Sequence, residues 1–197
     1  MMYIIVICLI GGMICGYFSG ISSSGLSNHI VTLGLLMLLF SVGIDFGKNR
    51  EILNSIKENR LRLFIIPMGT IIGTIVGSLV AGIILSMPVK ESVAVGAGFG
   101  WYSLSGVLIT QLYSVELGTM AFISNVVREV IALLIIPFVS KYVGSMEAIG
   151  IAGATAMDTS LPVIVKYTSS DMVIFSFLSG LILTLFVPLL IPIILNF

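Results

Sequence analysis

Long apolar runs alternate with short polar breaks along this chain. The first run covers about residues 3–21, a polar turn follows at 22–28, and a second run covers about 29–47. Each approaches the roughly 20 residues that a helix needs to cross a hydrocarbon core. Residues 48–62 interrupt the pattern, because Lys48, Arg50, Lys57, Arg60 and Arg62 are five of the nine basic residues. An excess of Lys and Arg marks a cytoplasmic loop, which fixes the remaining topology by alternation. A third run, about 63–87, ends at Pro88 and Lys90. Residues 93–113 are rich in Gly and Ser, 117–140 are apolar but hold Arg128 and Glu129, 148–165 are again Gly-rich and hold Asp158 and Pro162, and 172–196 are uniformly apolar. The pattern predicts an all-α polytopic bundle. It has about seven spans if both Gly-rich segments cross, with the N-terminus inside and the C-terminus outside. Re-entry of either segment lowers the count.

Composition supports lipid as the solvent. The chain is 58% hydrophobic and 9% charged, against about 25% charged in soluble domains. Residues 1–197 read as one transmembrane domain with a charged cytoplasmic loop at 48–62. No positive charge precedes the first apolar run, so the n-region of a secretory signal is missing and this run is expected to be a retained helix. Nine acidic residues balance nine basic ones, and no basic cluster with interleaved aromatics suggests nucleic acid. Cys8 and Cys15 share one run and His29 is the only histidine, so neither a disulfide nor a metal site is expected. No phosphate-binding glycine loop is present, and no cofactor is expected. Small residues four apart (Gly12, Gly16, Gly20; Gly69, Gly73, Gly77, Ala81) form stripes that suit close helix packing.

Ionisable groups inside apolar runs carry the functional signal, since charge at mid-membrane is costly and tends to face a cavity. Asn125 and Glu129 are four apart and share a helix face, while Ser124 and Arg128 share the neighbouring one. An internal ion pair locking two helices is the structural alternative to a substrate or proton site at Glu129. In the second Gly-rich segment, Asp158, Thr159 and Ser160 precede Pro162, whose ring opposes the carbonyl of Asp158 and breaks the helix there. Gly153 lies in the same segment. In the first, Gly98, Gly100, Trp101, Tyr102, Ser103, Ser105 and Gly106 make a poor helix and a good close-approach loop. Two interrupted segments flanking a charged apolar helix point to a transporter's central site. Asp45 is a further candidate, at the cytoplasmic end of the second run, where it can instead meet water or Lys48.

The runs GFGWYSLSGVLIT, the Arg128–Glu129 pair followed by an apolar helix ending in IIP, and GATAMDTSLPVI resemble the bacterial LysO-type lysine exporters in order and spacing, over roughly residues 35–197. The resemblance implies an inner-membrane transporter, not an enzyme, that exports L-lysine and analogues such as thialysine. It carries essential acids onto Glu129 and Asp158. Members often read Asn-Asp where this chain has Ser124 and Asn125, so one acid is neutral unless Asp45 or Asp158 substitutes. Single-chain members are longer at the N-terminus, which suggests a small separately encoded membrane partner, or homodimerisation. Lysine-for-proton exchange is the expected coupling. A Na⁺/H⁺ antiporter-like transporter or channel, and a non-transporting scaffold subunit, are the competing functional classes.

Overall fold

A computed structural model describes residues 60–169 and 172–196 continuously, with isolated helical positions between residues 14 and 44; in the continuous part, side chains are described from Phe64 onward. Asp45, His29, both cysteines, the first glycine stripe and most of the charged loop lie outside the described residues. The chain divides into two compact units, Met1–Lys48 and Asn49–Phe197. All continuously described residues belong to the second.

Every regular element there is helical: α1 (Arg60–Ile84), α2 (Val89–Gly96), α3 (Tyr102–Leu112), α4 (Val115–Tyr142), α5 (Ser145–Ala152), a 3₁₀ turn (Gly153–Met157), α6 (Leu161–Tyr167) and α7 (Met172–Asn196). Among the described residues, three stretches are long and apolar enough to cross a membrane: Phe64–Ile84 in α1, all of α4 and all of α7. Prolines 67, 137, 188 and 192 sit inside these helices, which neighbouring helices and hydroxyls make tolerable in lipid. The exposed faces are apolar, as at Ile72, Val76, Ile131, Leu134 and Phe138. The Gly-rich segments are not among the three. Each is instead a pair of short helices joined by an irregular tip.

The first pair, α2 and α3, bends back on itself. Tyr113, just past α3, donates from its hydroxyl to Glu91 near the start of α2 at 2.7 Å. The carboxylate raises the phenol's pKa by accepting that hydrogen bond. Beginning and end of the pair therefore lie together, where α1 ends and α4 begins. Ser114 caps α4 there by accepting from the Leu117 amide at 3.2 Å, satisfying one of the free amides of a helix start.

The second pair, α5 and α6, starts where α4 ends. Ala148 and Ile149 of α5 and Ile164 of α6 are fully buried in one apolar cluster with Ile66 of α1 and Ile136 of α4. The pair thus returns to the end of the molecule where α1 begins. The break between its arms runs over residues 153–160, beginning at Gly153 and earlier than the Asp158 position that the sequence suggests; Pro162 instead occupies the first turn of α6, where its missing N–H costs nothing.

α7 supports the second tip from behind. Its Ser176 donates to the Ala156 carbonyl at 2.7 Å. A side chain on Gly180 would stand 2.7 Å from both the Ala154 carbonyl oxygen and the Met157 amide nitrogen. Gly180→Val is therefore expected to destabilise the protein by about 1–3 kcal/mol, the usual cost of overpacking. A thermal melt in detergent micelles matching the parent's would show that this contact does not matter.

Among the described residues, a Cβ on Gly69, Gly73 or Gly77 of α1 would meet nothing within 4 Å.

Candidate functional site

The tips of the two helix pairs meet against the middle of α4. Phe99 and Gly100 take consecutive left-handed conformations, with φ of 48° and 98°. For the buried Phe99 this stores strain of about 1–3 kcal/mol. The turn aims the Phe99 carbonyl at the other tip, where it accepts from the Ala154 amide at 2.9 Å. Gly153 lies at this crossing with φ +68°, and a Cβ there would collide with the Phe99 carbonyl oxygen.

Asn125 of α4 holds the first tip. Its Oδ1 accepts from the Gly100 amide at 2.7 Å, and its Nδ2 donates to the carbonyls of Val95 at 3.1 Å and Ala121 at 2.9 Å. The side chain is buried. A carboxylate could accept from Gly100 but could not donate to the two carbonyls. Asn125→Asp should thus lower stability by about 1–3 kcal/mol for each lost donor interaction, read as a drop in melting temperature; an unchanged melt would contradict this locking role. Gly98 admits the amide, since a Cβ there would lie 2.5 Å from Asn125 Nδ2. Gly106 lets α3 approach α4 at Gly118 and Phe122.

Glu129, one turn beyond Asn125, opens onto a cavity of about 130 Å³ lined by Gly100, Trp101, Tyr102, Ser103, Glu129, Ala154, Thr155, Asp158 and Thr159. That is well above the roughly 10–15 Å³ that one water needs. Thr159 donates from its hydroxyl to Glu129 Oε1 at 2.5 Å, and its amide donates to Asp158 Oδ1 at 2.6 Å. Two carboxylates from different elements thus border one space beside two aromatic rings, an arrangement suited to an organic cation.

The structure separates the sequence candidates. Glu129, Asp158, Trp101, Tyr102, Ser103 and Thr159 meet at the cavity. Ser105 and Ser160 do not line it. Ser105 is buried and donates to the Trp101 carbonyl at 2.9 Å, and Ser160 pairs with the Thr155 hydroxyl at 2.7 Å. Thr155 lines the cavity with no signal in the sequence beyond its place beside the break. Arg128 and Glu129 form no ion pair: Glu129 meets Thr159, while the Arg128 guanidinium lies beside Gly153, and its Nη1 is buried without a partner among the described residues.

A family model described as lysine exporter LysO matches residues 6–195. The chain belongs to the lysine exporter LysO family. Among curated relatives, the lysine exporter LysO of Escherichia coli is 37% identical over 186 residues, 93% of this chain and 62% of its own length. The chain therefore spans less than two thirds of that relative. A relative from Haemophilus influenzae, whose own name marks lysine export as provisional, is 34% identical over 158 residues, 79% of each chain. No solved structure matches. The LysO family is one of membrane exporters rather than enzymes, which agrees with three helices long and apolar enough to cross a membrane among the described residues.

Proposed function

We propose that this chain exports L-lysine, and analogues such as thialysine, across the inner membrane in exchange for protons, with the Glu129 cavity as its transport site. The observation that carries the reading is the convergence of Glu129 and Asp158 on one cavity between two broken-helix tips. Lysine brings two ammonium groups, which two carboxylates and the faces of Trp101 and Tyr102 can hold. The names of the relatives supply lysine as the solute.

In this reading the α2–α3 and α5–α6 pairs re-enter from opposite sides, and α1, α4 and α7 cross. Two re-entrant pairs remove two crossings from seven, so the C-terminus stays outside. Charge supports the orientation. Arg60 and Arg62 begin α1, while Lys141 and Lys166 lie in the last turns of α4 and α6, all at one end, as the cytoplasmic side demands. Lys90 stands alone at the other.

Moving a cation out against an inside-negative potential costs about 2.3 kcal/mol per charge per 100 mV. Exchange for a proton offsets that cost, and Glu129 serves both by holding a proton in one half-cycle and an ammonium in the other. Labelled lysine in inverted vesicles tests the reading. Accumulation that dissipates an inside-acid gradient supports it; sodium-driven flux, or none, defeats it.

A further inference from the structure

We infer that Arg128 is the seat for the carboxylate of the transported amino acid, so that the site reads both ends of its solute. This rests on the transport reading of the Glu129 cavity and extends it to a residue outside that cavity's lining. Arg128 is a half-buried cation whose Nη1 is out of reach of solvent and has no hydrogen-bond partner among the described residues. A guanidinium keeps its charge at physiological pH and presents a planar fork that fits a carboxylate. Left unpaired in a membrane interior, such a group costs several kcal/mol. The carboxylate beside it in sequence does not relieve that cost, because Glu129 is turned to Thr159.

The surroundings of the guanidinium say where its partner comes from. It lies against the crossing of the two tips. A Cβ on Gly153 would stand 2.9 Å from both Nη1 and Nη2, and one on Gly100 would stand 3.8 Å from Nη1. Gly100 is also a wall of the Glu129 cavity. Gly100, which has no side chain, thus borders both the cation and the carboxylate-lined space. Arg128 further borders open volumes of about 330 and 430 Å³ against α1, so an anion has room beside it. An α-amino acid with a cationic side chain has two charged ends of opposite preference. Its side-chain ammonium goes to Glu129, and its carboxylate reaches past Gly100 to Arg128. A diamine of the same length lacking the carboxylate fills only the first seat.

Trp101 is the only tryptophan and lines the cavity, so its fluorescence reports occupancy directly. The test titrates the purified full chain in detergent with L-lysine and with cadaverine, which is lysine without its carboxylate. The parent should prefer lysine by at least about tenfold, the worth of a charge-assisted hydrogen bond. Arg128→Gln should bring that ratio to about one while cadaverine still binds as in the parent, and the cadaverine response shows that the site is folded. If the Gln variant does not fold, Arg128→Lys, which keeps the charge but not the fork, decides: it should lower the ratio several-fold with cadaverine binding intact. An unchanged ratio overturns the inference. So does equal loss of both ligands in Arg128→Lys, since the cation then serves a carboxylate of the protein or the packing of the tips. A parent that responds to neither ligand contradicts the export reading itself, and this inference falls with it.

Discussion

Glu129→Gln is expected to abolish lysine export while leaving the protein in the membrane. The substitution keeps the side chain's size and its ability to accept from the Thr159 hydroxyl, so the tip stays docked. What it removes is the negative charge facing the cavity, and with it the seat for an ammonium and the carrier of the exchanged proton. Removing one partner of a buried ion pair costs about 3–5 kcal/mol, so lysine transport should fall by at least about a hundredfold. The check is paired: labelled lysine flux in inverted vesicles and the amount of variant in the membrane fraction. Export near the parental rate would remove Glu129 from the mechanism. Asp158→Asn should have a smaller effect, because Asp158 is exposed at the cavity edge and its Oδ1 also organises the Thr159 amide.

Gly153→Val should be equally damaging to transport for a different reason. The position has φ +68° and ψ −133°, a backbone region essentially restricted to glycine, where any β-carbon is strained and a β-branched residue more so. Added bulk also runs into the Phe99 carbonyl oxygen and the Arg128 guanidinium. The Phe99 oxygen belongs to backbone, so relief requires the tips to part and the Ala154–Phe99 hydrogen bond to break. The expected result is a melting temperature lowered by several degrees together with loss of lysine flux. Gly150→Ala is the control on the same arm, since a Cβ there meets only the Thr70 hydroxyl at 3.4 Å and should be tolerated. Normal transport by Gly153→Val would show that the crossing of the tips is incidental.

The three long apolar helices α1, α4 and α7 were legible in the sequence because lipid imposes a length and an apolar composition that survive without any knowledge of packing. The cavity's acids were legible for the same reason, since Glu129 and Asp158 are conspicuous where charge is costly. The bending of each Gly-rich segment back on itself was not. Its evidence is long-range: Glu91 meeting Tyr113, and Ile149 and Ile164 sharing a cluster with Ile66 and Ile136. A glycine-rich run of about twenty residues fits a crossing or a hairpin equally well. The direction of Arg128 was equally hidden. An Arg–Glu dipeptide invites reading as an ion pair, but adjacent helix positions diverge by about 100°, and here Glu129 meets Thr159 while Arg128 lies beside Gly153. Asn125 was read as a missing acid. Its three hydrogen bonds make it the lock on the first tip, a role for which an amide's mixture of donor and acceptor is required.

The most direct test of the central claim follows proton release in inverted vesicles energised to an inside-acid gradient, using a pH-sensitive dye as L-lysine is added outside. The account predicts a lysine-dependent collapse of the gradient in vesicles carrying the parent chain and none in vesicles carrying Glu129→Gln. Lysine accumulation that leaves the gradient intact, or a collapse of equal size with Glu129→Gln, would contradict it.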